Sequence, residues 1–305
     1  MDIAIVGAGK IAADQHVPAL AASADFRLVA AASPAGRLHG LAHFPSLAAL
    51  LAEGPEVEAV AVCTPPQVRH AVAREALLAG KHVLLEKPPG ATVSEVQDLI
   101  ALARRCGRSL YAAWHSRHAP GVEPARAWLA ERRLSRADIV WREDVRRWHP
   151  GQDWIFEAGG LGVFDPAINA LSIASHILPP FFVKAAALSV PAGRAAPIAA
   201  ALAFEIEGGA PMSADFDFRE AGPQTWDLTA ETADGQSLRL SQGGAALAVN
   251  GREVPLEPAA EYAALYRRFA ELIAEGGVDV DLRPLQLVAD AFLLGRHTVV
   301  EAFAF

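Results

Sequence analysis

Cysteine and positive charge are both scarce in this sequence. Only two of the 305 residues are cysteines, Cys63 and Cys106, which excludes a scaffold held together by disulfides. Lys and Arg number 27 against 35 Asp and Glu, a net charge of −8, and no basic run occurs. An acidic surface repels phosphates, so we do not expect a nucleic-acid-binding protein. The balance instead favours a small or neutral ligand.

Targeting, membrane, metal and nucleophile patterns are also missing. The first residues show no basic segment and no cleavage site, so we expect no secretory signal. One uncharged stretch, residues 166–183, holds polar residues and a Pro-Pro pair, which suit a buried helix better than a lipid-spanning one. Gly-x-Ser-x-Gly and His-Glu-x-x-His are absent, so we expect neither a serine elbow nor a metal site. We expect a soluble, cytoplasmic protein without membrane contact.

Two patterns of predicted secondary structure divide the chain near residue 119. In residues 1–119, short apolar strands alternate with helices, which predicts a parallel sheet covered on both faces. These strands are 3–6, 26–32, 57–63, 82–86 and 109–113, and helices include 67–79 and 92–105. In residues 120–305, successive strands predict a large, mostly antiparallel sheet, and the last helix could pack back on the first domain. The strands are 138–148, 183–190, 198–207, 212–219, 225–232, 236–241 and 245–249, and the helices are 123–134, 162–178, 260–275 and 285–303.

A glycine-rich turn, Gly-Ala-Gly-Lys-Ile-Ala, directly follows the first predicted strand. Gly7 permits the tight turn, and Gly9 lets the backbone approach a pyrophosphate at the helix N-terminus. Lys10 and Ile11 open the helix, where we expect them beside the cofactor. The turn therefore predicts a dinucleotide site.

The residues after the second predicted strand bear on the choice of dinucleotide. An NAD site usually presents a carboxylate there to the ribose 2′-hydroxyl, and this sequence has none at the expected distance. Ser33 could instead hydrogen-bond a 2′-phosphate and Arg37 could neutralise it. We therefore predict that NADP is preferred and NAD tolerated.

Three further segments reach the carboxyl edge of the predicted parallel sheet, where ligands bind. They are Thr64-Pro65-Pro66, Glu86-Lys87-Pro88-Pro89 and Trp114-His115. A lysine held beside a nicotinamide can donate a hydrogen bond to a substrate oxygen and stabilise an alkoxide. Glu86 could orient Lys87 for that role.

Two segments resemble the Gfo/Idh/MocA oxidoreductase family. Thr64-Pro65 with His70 following, then Ala-Gly-Lys-His-Val-Leu-Leu-Glu-Lys-Pro over 79–88, resembles its signature. Gly-Gly-Leu-Gly-Val-Phe-Asp-Pro-Ala-Ile-Asn over 159–169 resembles its second-domain motif, a glycine pair and then Asp-x-x-x-His. The resemblance spans the chain and implies a Rossmann domain followed by an α+β domain with an open antiparallel sheet. It places the site between them, with Thr64, Pro65, Glu86 and Lys87 at the cofactor.

One position departs from that pattern. Asn169 stands where the family often has histidine, which excludes a histidine base there. Asp165 and Asn169 share a helix face and could bind one sugar hydroxyl. This variant, with Glu-Asp-Val-Arg-Arg-Trp-His-Pro over 143–150, resembles the aldose 1-dehydrogenase branch, whose members act on L-arabinose and D-galactose. In a strand, Glu143 and His149 would project to one side of a pocket wall and Trp148 to the other.

The resemblance implies hydride transfer from C1 of a pyranose to the nicotinamide, giving a lactone. Asp165 is the expected base and Lys87 the group that stabilises charge on O1, although Lys87 could also accept the proton. The expected catalytic residues are Lys87, Asp165 and Asn169, and the expected sugar ligands are these with His115, Glu143, Trp148 and His149. A polyol or dihydrodiol dehydrogenase and a non-catalytic dinucleotide- or sugar-binding regulator stay open. An apolar sheet face would suit a homodimer.

Overall fold

The structure is a computed structural model that describes residues 1–258 and 260–304. The described chain forms two compact units. The first consists of residues 1–114 and 260–282, and the second of residues 115–258 and 283–304. The division therefore differs from a single boundary near residue 119, because a late segment of the chain belongs to the first unit.

The first unit is built on strands that alternate with helices. Up to residue 114 the strands are β1 (Asp2–Val6), β2 (Arg27–Ala32), β3 (Ala42–Phe44), β4 (Ala59–Val62), β5 (His82–Glu86) and β6 (Leu110–Ala113). The helices are α1 (Val17–Ala21), α2 (Leu47–Glu53), α3 (Pro66–Leu78) and α4 (Val93–Cys106). A π-helical turn, Ala12–His16, leads into α1. Gly80 and Gly107 follow α3 and α4 with φ of 73° and 62°, as expected of helix-terminating glycines.

The second unit begins with a 3₁₀ turn over His115–His118. Its helices up to residue 258 are α5 (Val122–Leu129), α6 (Val145–Trp148) and α7 (Phe164–Ile177). Its strands there are β7 (Leu134–Arg142), β8 (Phe181–Pro191), β9 (Ala199–Ile206), β10 (Pro211–Asp217), β11 (Thr225–Thr232), β12 (Ser237–Ser241), β13 (Ala246–Val249) and β14 (Arg252–Glu253).

The last part of the chain contributes to both units. The helix α8 (Glu261–Glu275) and the strand β15 (Val278–Asp279) belong to the first, and α9 (Arg283–Leu294) and β16 (Gly295–Val300) to the second. Among the described residues the first sheet has the order β15-β6-β5-β4-β1-β2-β3 and is parallel throughout. The second has the order β14-β13-β12-β11-β7-β10-β9-β8-β16 and is antiparallel except at β7–β10 and β8–β16. The predicted fold class, a Rossmann-type α/β domain with a second α+β domain, is confirmed.

Successive residues of β1 point into two separate cores of the first unit. Ala4 and Val6 pack into one core, which contains Leu77 of α3 and Leu99 of α4. Ile3 and Ile5 pack into the other, which contains Leu20 of α1 and four residues of α8, namely Leu265, Tyr266, Phe269 and Leu272. This alternation requires apolar side chains on both faces of the sheet, which explains why its strands are continuous apolar runs.

Three sequence predictions in the second unit are wrong. The helix predicted over 123–134 ends at Leu129, and Leu134 starts β7 instead. The strand predicted over 138–148 ends at Arg142, because the Asp144 side chain accepts the Arg146 N–H at 2.9 Å and caps α6. The helix predicted over 285–303 ends at Leu294, and residues 295–300 form β16 beside β8.

Gly295 explains the last of these differences. A Cβ at this position would lie 2.5 Å from the Ala291 carbonyl oxygen and 2.7 Å from Leu188 Cδ1 of β8. The chain can therefore leave α9 and approach β8 closely only because this residue has no side chain. The β-branched residues Thr298, Val299 and Val300 then favour a strand.

Candidate active site

The glycine-rich turn lies between β1 and the first helical turn. It is tightly packed at Gly7 and accessible at Gly9. Gly7 has a φ of 101°, and a Cβ there would lie 2.7 Å from backbone atoms of Cys63 and Thr64. Its N–H donates to the Ala32 carbonyl at 2.8 Å. In contrast, apart from Gly9 itself and its two chain neighbours, no described residue has a heavy atom within 4 Å of the position that a Cβ on Gly9 would take. The backbone at Gly9 is therefore approachable, as a pyrophosphate requires.

Two neighbouring features fit a bound dinucleotide. Thr64 Oγ1 is buried and has no hydrogen-bond partner among the residues described, so it can serve a ligand placed at this edge. Gly36, which the sequence reasoning missed, lies so close to the turn that a Cβ would stand 2.2 Å from the Ala8 carbonyl oxygen. The Gly36 N–H donates to Ser33 Oγ at 3.3 Å, while Arg37 is exposed. The loop after β2 thus holds Ser33 and Arg37 next to the glycine turn.

The remaining predicted cofactor residues surround this turn. Lys10 is exposed and forms an ion pair with Asp14 one helical turn later. Ile11 is half-buried and precedes the π-helical turn. Pro65 is exposed and stands at the N-terminus of α3, which follows Thr64.

Lys87 follows β5 in a segment whose backbone is held from two sides. Its N–H donates to the Glu86 carboxylate, Oε2, at 2.7 Å. The buried guanidinium of Arg69 on α3 donates to the carbonyl of Glu86 at 2.7 Å and also to those of Pro88 and Thr64. Glu86 therefore orients the Lys87 peptide, and Arg69 ties this segment to the end of β4.

Four side chains form a buried network behind this segment, and the sequence reasoning missed three of them. Glu86 Oε1 accepts from the Tyr262 hydroxyl at 2.7 Å and lies 3.1 Å from His16 Nε2. His16 Nδ1 lies 2.6 Å from the Tyr266 hydroxyl. All four residues are at most 6% exposed. We call these residues, His16, Glu86, Tyr262 and Tyr266, the buried network.

The buried network has shifted ionisation equilibria. Burial opposes a charge on His16, but Cys63, Tyr266 and Glu86 around it raise its pKa well above the ordinary 6.5. Burial and the nearby Glu86 carboxylate raise the pKa of Tyr262 well above 10.0. Burial also raises the pKa of Tyr266 to about 12. At neutral pH both phenols of the network are therefore protonated, and the raised pKa of His16 favours its charged form beside Glu86.

In the second unit, α7 presents a buried carboxylate to a histidine. Asp165 is in the first turn of α7, with its side chain 4% exposed, and its Oδ2 lies 3.4 Å from His149 Nε2. The His149 ring is 19% exposed and packs edge-on against Phe218 at 5.9 Å between ring centres. Asn169 follows one turn later on α7 and is half-buried. The structure thus brings Asp165, Asn169 and His149 into one neighbourhood.

Glu143 has a different arrangement from the one predicted. Because β7 ends before it and α6 follows, Glu143 and His149 are not two positions of one strand face, and Trp148 does not lie on an opposite face. Glu143 is 6% exposed, and its Oε2 accepts from Trp226 Nε1 of β11 at 2.8 Å. The Trp148 ring meets the Trp226 ring edge-on at 5.7 Å. Trp226, unnoticed in the sequence, therefore links Glu143 to Trp148.

His115 lies at the start of the second unit. His115 starts the 3₁₀ turn of the second unit, with its Nδ1 3.4 Å from Ser116 Oγ. Within residues 1–258 and 260–304, no group of three or more His, Cys, Asp and Glu side chains is placed to hold a metal ion. In the same residues, no helix combines the length and apolar character needed to cross a bilayer.

Known proteins resemble this chain over both units. The profile of the oxidoreductase family with an NAD-binding Rossmann fold, Gfo/Idh/MocA, matches residues 1–113. Galactose 1-dehydrogenase of Pseudomonas fluorescens is 46% identical over 302 residues, 99% of this chain and 98% of its own. The crystal structure of a D-galactose-1-dehydrogenase protein from Rhizobium etli is 55% identical, with a TM-score of 0.93 over 99% of this chain and 97% of that one. A 3-ketoreductase from Actinomadura kijaniata, 19% identical, shares the fold, with a TM-score of 0.84 over 98% and 99% of the two chains.

Proposed function

The chain belongs to the Gfo/Idh/MocA oxidoreductase family, and on that premise we propose that it is an aldose 1-dehydrogenase. The substrate is a pyranose, D-galactose or L-arabinose, whose anomeric hydroxyl is oxidised to give a lactone. The relatives named for galactose 1-dehydrogenation support this proposal, because their likeness extends over nearly all of both chains.

The dinucleotide is held by the turn and loops at the carboxyl edge of the first sheet. The approachable backbone at Gly9 and the unpartnered Thr64 Oγ1 support this assignment. When bound, NADP or NAD supplies the acceptor for the hydride from C1. We assign Ser33 and Arg37 to the 2′-phosphate and hence a preference for NADP.

Asp165 takes the proton of the C1 hydroxyl. Its carboxylate is nearly buried, and the His149 ring nitrogen gives it a polar partner at 3.4 Å. A base held in a fixed position increases the rate of proton transfer through its orientation as well as through its basicity. Lys87 stabilises the negative charge that develops on O1, because an ammonium is most effective where water is excluded.

The other hydroxyls of the sugar are bound by Asn169, Glu143 and His149. Glu143 is suited to this because Trp226 fixes its carboxylate, and a fixed acceptor loses little entropy when it binds a hydroxyl. Trp148 and Trp226 offer an aromatic corner against which the C–H face of a pyranose packs. His115 is assigned to the sugar on the family resemblance alone.

The observation that carries this proposal is the end-to-end likeness to galactose 1-dehydrogenase. Initial rates with NADP and NAD across a panel of aldoses, polyols and dihydrodiols test it, with trapping of the lactone as a hydroxamate. Turnover of D-galactose or L-arabinose with lactone formation supports the proposal. Oxidation of only polyols or dihydrodiols, or dinucleotide binding without any turnover, would replace it.

A further inference from the structure

The buried network contains an ion pair that the proposed mechanism leaves without a role. The His16 side chain is 0% exposed and that of Glu86 is 3% exposed, with 3.1 Å between Nε2 and Oε1. Removing two charges from water has a large desolvation penalty, and apolar residues of similar size often stabilise a fold equally well. Stability therefore does not explain why these charges are placed here.

The hydrogen bond between Glu86 and the Lys87 peptide indicates what the buried network does. Glu86 Oε1 binds inside the network, to Tyr262 and His16, whereas Oε2 accepts the Lys87 N–H at 2.7 Å. The two carboxylate oxygens are rigidly joined, so fixing Oε1 also fixes Oε2. If the Glu86 side chain could move, the Lys87 peptide would move with it. The position of the Lys87 ammonium, at the end of its flexible side chain, would then be less well defined.

The network also connects the Lys87 segment to two other elements of the first unit. His16 ends the π-helical turn that follows the glycine-rich loop, where the Val17 N–H donates to the Ala12 carbonyl five residues earlier. Tyr262 and Tyr266 are one turn apart on α8, and both rings meet His16 edge-on, at 5.0 and 5.8 Å between ring centres. The orientation of Glu86 is therefore set jointly by α8 and by the helix that opens the dinucleotide site.

We propose that His16, Tyr262 and Tyr266 are positioning residues for Lys87, acting through the carboxylate of Glu86. The inference rests on the proposed function in that Lys87 acts at the C1 oxygen of the sugar. Tyr262 acts directly on Glu86, and Tyr266 acts one step further away, through His16. Loss of either hydroxyl loosens the Lys87 peptide without removing any group that binds dinucleotide or sugar.

Three isosteric variants of the full-length protein test this, because the chain has three tyrosines and only two are in the network. Tyr262→Phe should lower kcat about tenfold, the order produced by losing a hydrogen bond to a charged group. Tyr266→Phe should lower kcat less, by about threefold, because Tyr266 reaches Glu86 only through His16. Tyr111→Phe, in the same core and stacked on Phe269, should leave kcat unchanged. KM for sugar and dinucleotide should stay near wild type in all three.

A second readout needs neither substrate nor cofactor. The chain contains few lysines, so isotope-labelled lysine allows the exchange of the Lys87 amide hydrogen to be followed by NMR. In Tyr262→Phe this hydrogen should exchange about tenfold faster, reflecting the weakened bond to Glu86. The amides of Lys10, Lys81 and Lys184 serve as internal references and should not change.

The outcomes separate this inference from the proposed function. Unchanged Lys87 exchange in Tyr262→Phe, or an equal kcat loss in Tyr111→Phe, overturns the positioning role. If Tyr262→Phe is too unstable to assay, the milder Tyr266→Phe decides, and wild-type exchange at Lys87 in it counts against the inference. A wild-type protein that oxidises no aldose refutes the proposed function, whereas the exchange measurement still decides whether the network fixes the Lys87 peptide.

Discussion

Replacing Asp165 by asparagine removes the proposed base with little change of shape. The asparagine side chain still fills the buried site and can hydrogen-bond His149, so we expect the fold to persist. It cannot accept the proton of the C1 hydroxyl. A positioned general base contributes about 10² to 10⁴ in rate, so kcat should fall by that factor. The activation free energy should correspondingly rise by about 2.7 to 5.4 kcal/mol, at about 1.36 kcal/mol per tenfold. KM should change by less than about threefold, because the proposed sugar ligands Glu143 and Asn169 are left in place.

The assay is the initial rate of dinucleotide reduction at saturating sugar, with dinucleotide binding measured separately. Asp215→Asn is the matched control, since Asp215 is half exposed on β10 and pairs with Arg142 at 2.9 Å. It should leave kcat at the wild-type value. A kcat near wild type in the Asp165 variant would refute the assignment of the base and favour the alternative in which Lys87 accepts the proton.

Four further outcomes are expected. Arg37→Ala should raise KM for NADP about tenfold or more, because one charge-assisted contact to the 2′-phosphate is lost, and should leave KM for NAD unchanged. Equal effects on both cofactors would contradict the assignment of Arg37 to the 2′-phosphate. Gly36→Ala should weaken dinucleotide binding in titrations, because its Cβ would collide with the Ala8 carbonyl; wild-type affinity would argue against this. Phe269→Ala should lower the free energy of unfolding in urea by about 3–5 kcal/mol, and a value near zero would contradict its place in the core. Because Tyr266 keeps its proton in the fold up to about pH 12 but releases it near 10.0 when unfolded, its contribution to stability is lost as pH rises through that interval; flat unfolding free energies there would contradict the raised pKa.

Local patterns predicted the first unit well. The strands β1, β4, β5 and β6, and the end of β2, are buried on both faces, so each appears in the sequence as a short apolar run between helices. The short β3 and α2 escaped notice because three and seven residues are too few for a clear periodicity. In the second unit, Asp144 was a readable sign of a new helix after β7, and overlooking it misplaced Trp148 and His149.

Contacts between distant parts of the chain could not be predicted in this way. Tyr262 and Glu86 are 176 residues apart, and His16 and Tyr266 are 250 apart, so no local spacing joins them. Trp226 of β11 similarly meets Glu143, which follows the end of the neighbouring strand β7. The sequence therefore indicates which residues are suited to chemistry. The distant residues that hydrogen-bond to them are determined by strand order and helix packing.

The discontinuous first unit has a consequence for how the protein is made on the ribosome. Residues 1–114 emerge with one side of their sheet incompletely covered, since Leu265, Tyr266, Phe269 and Leu272 of α8 are translated only after residue 259. Until then, part of the apolar surface around Ile3 and Ile5 is open to water and to other chains. Synthesis that stops early should therefore leave an aggregation-prone product, and the dinucleotide half should mature only when the 260–282 segment arrives.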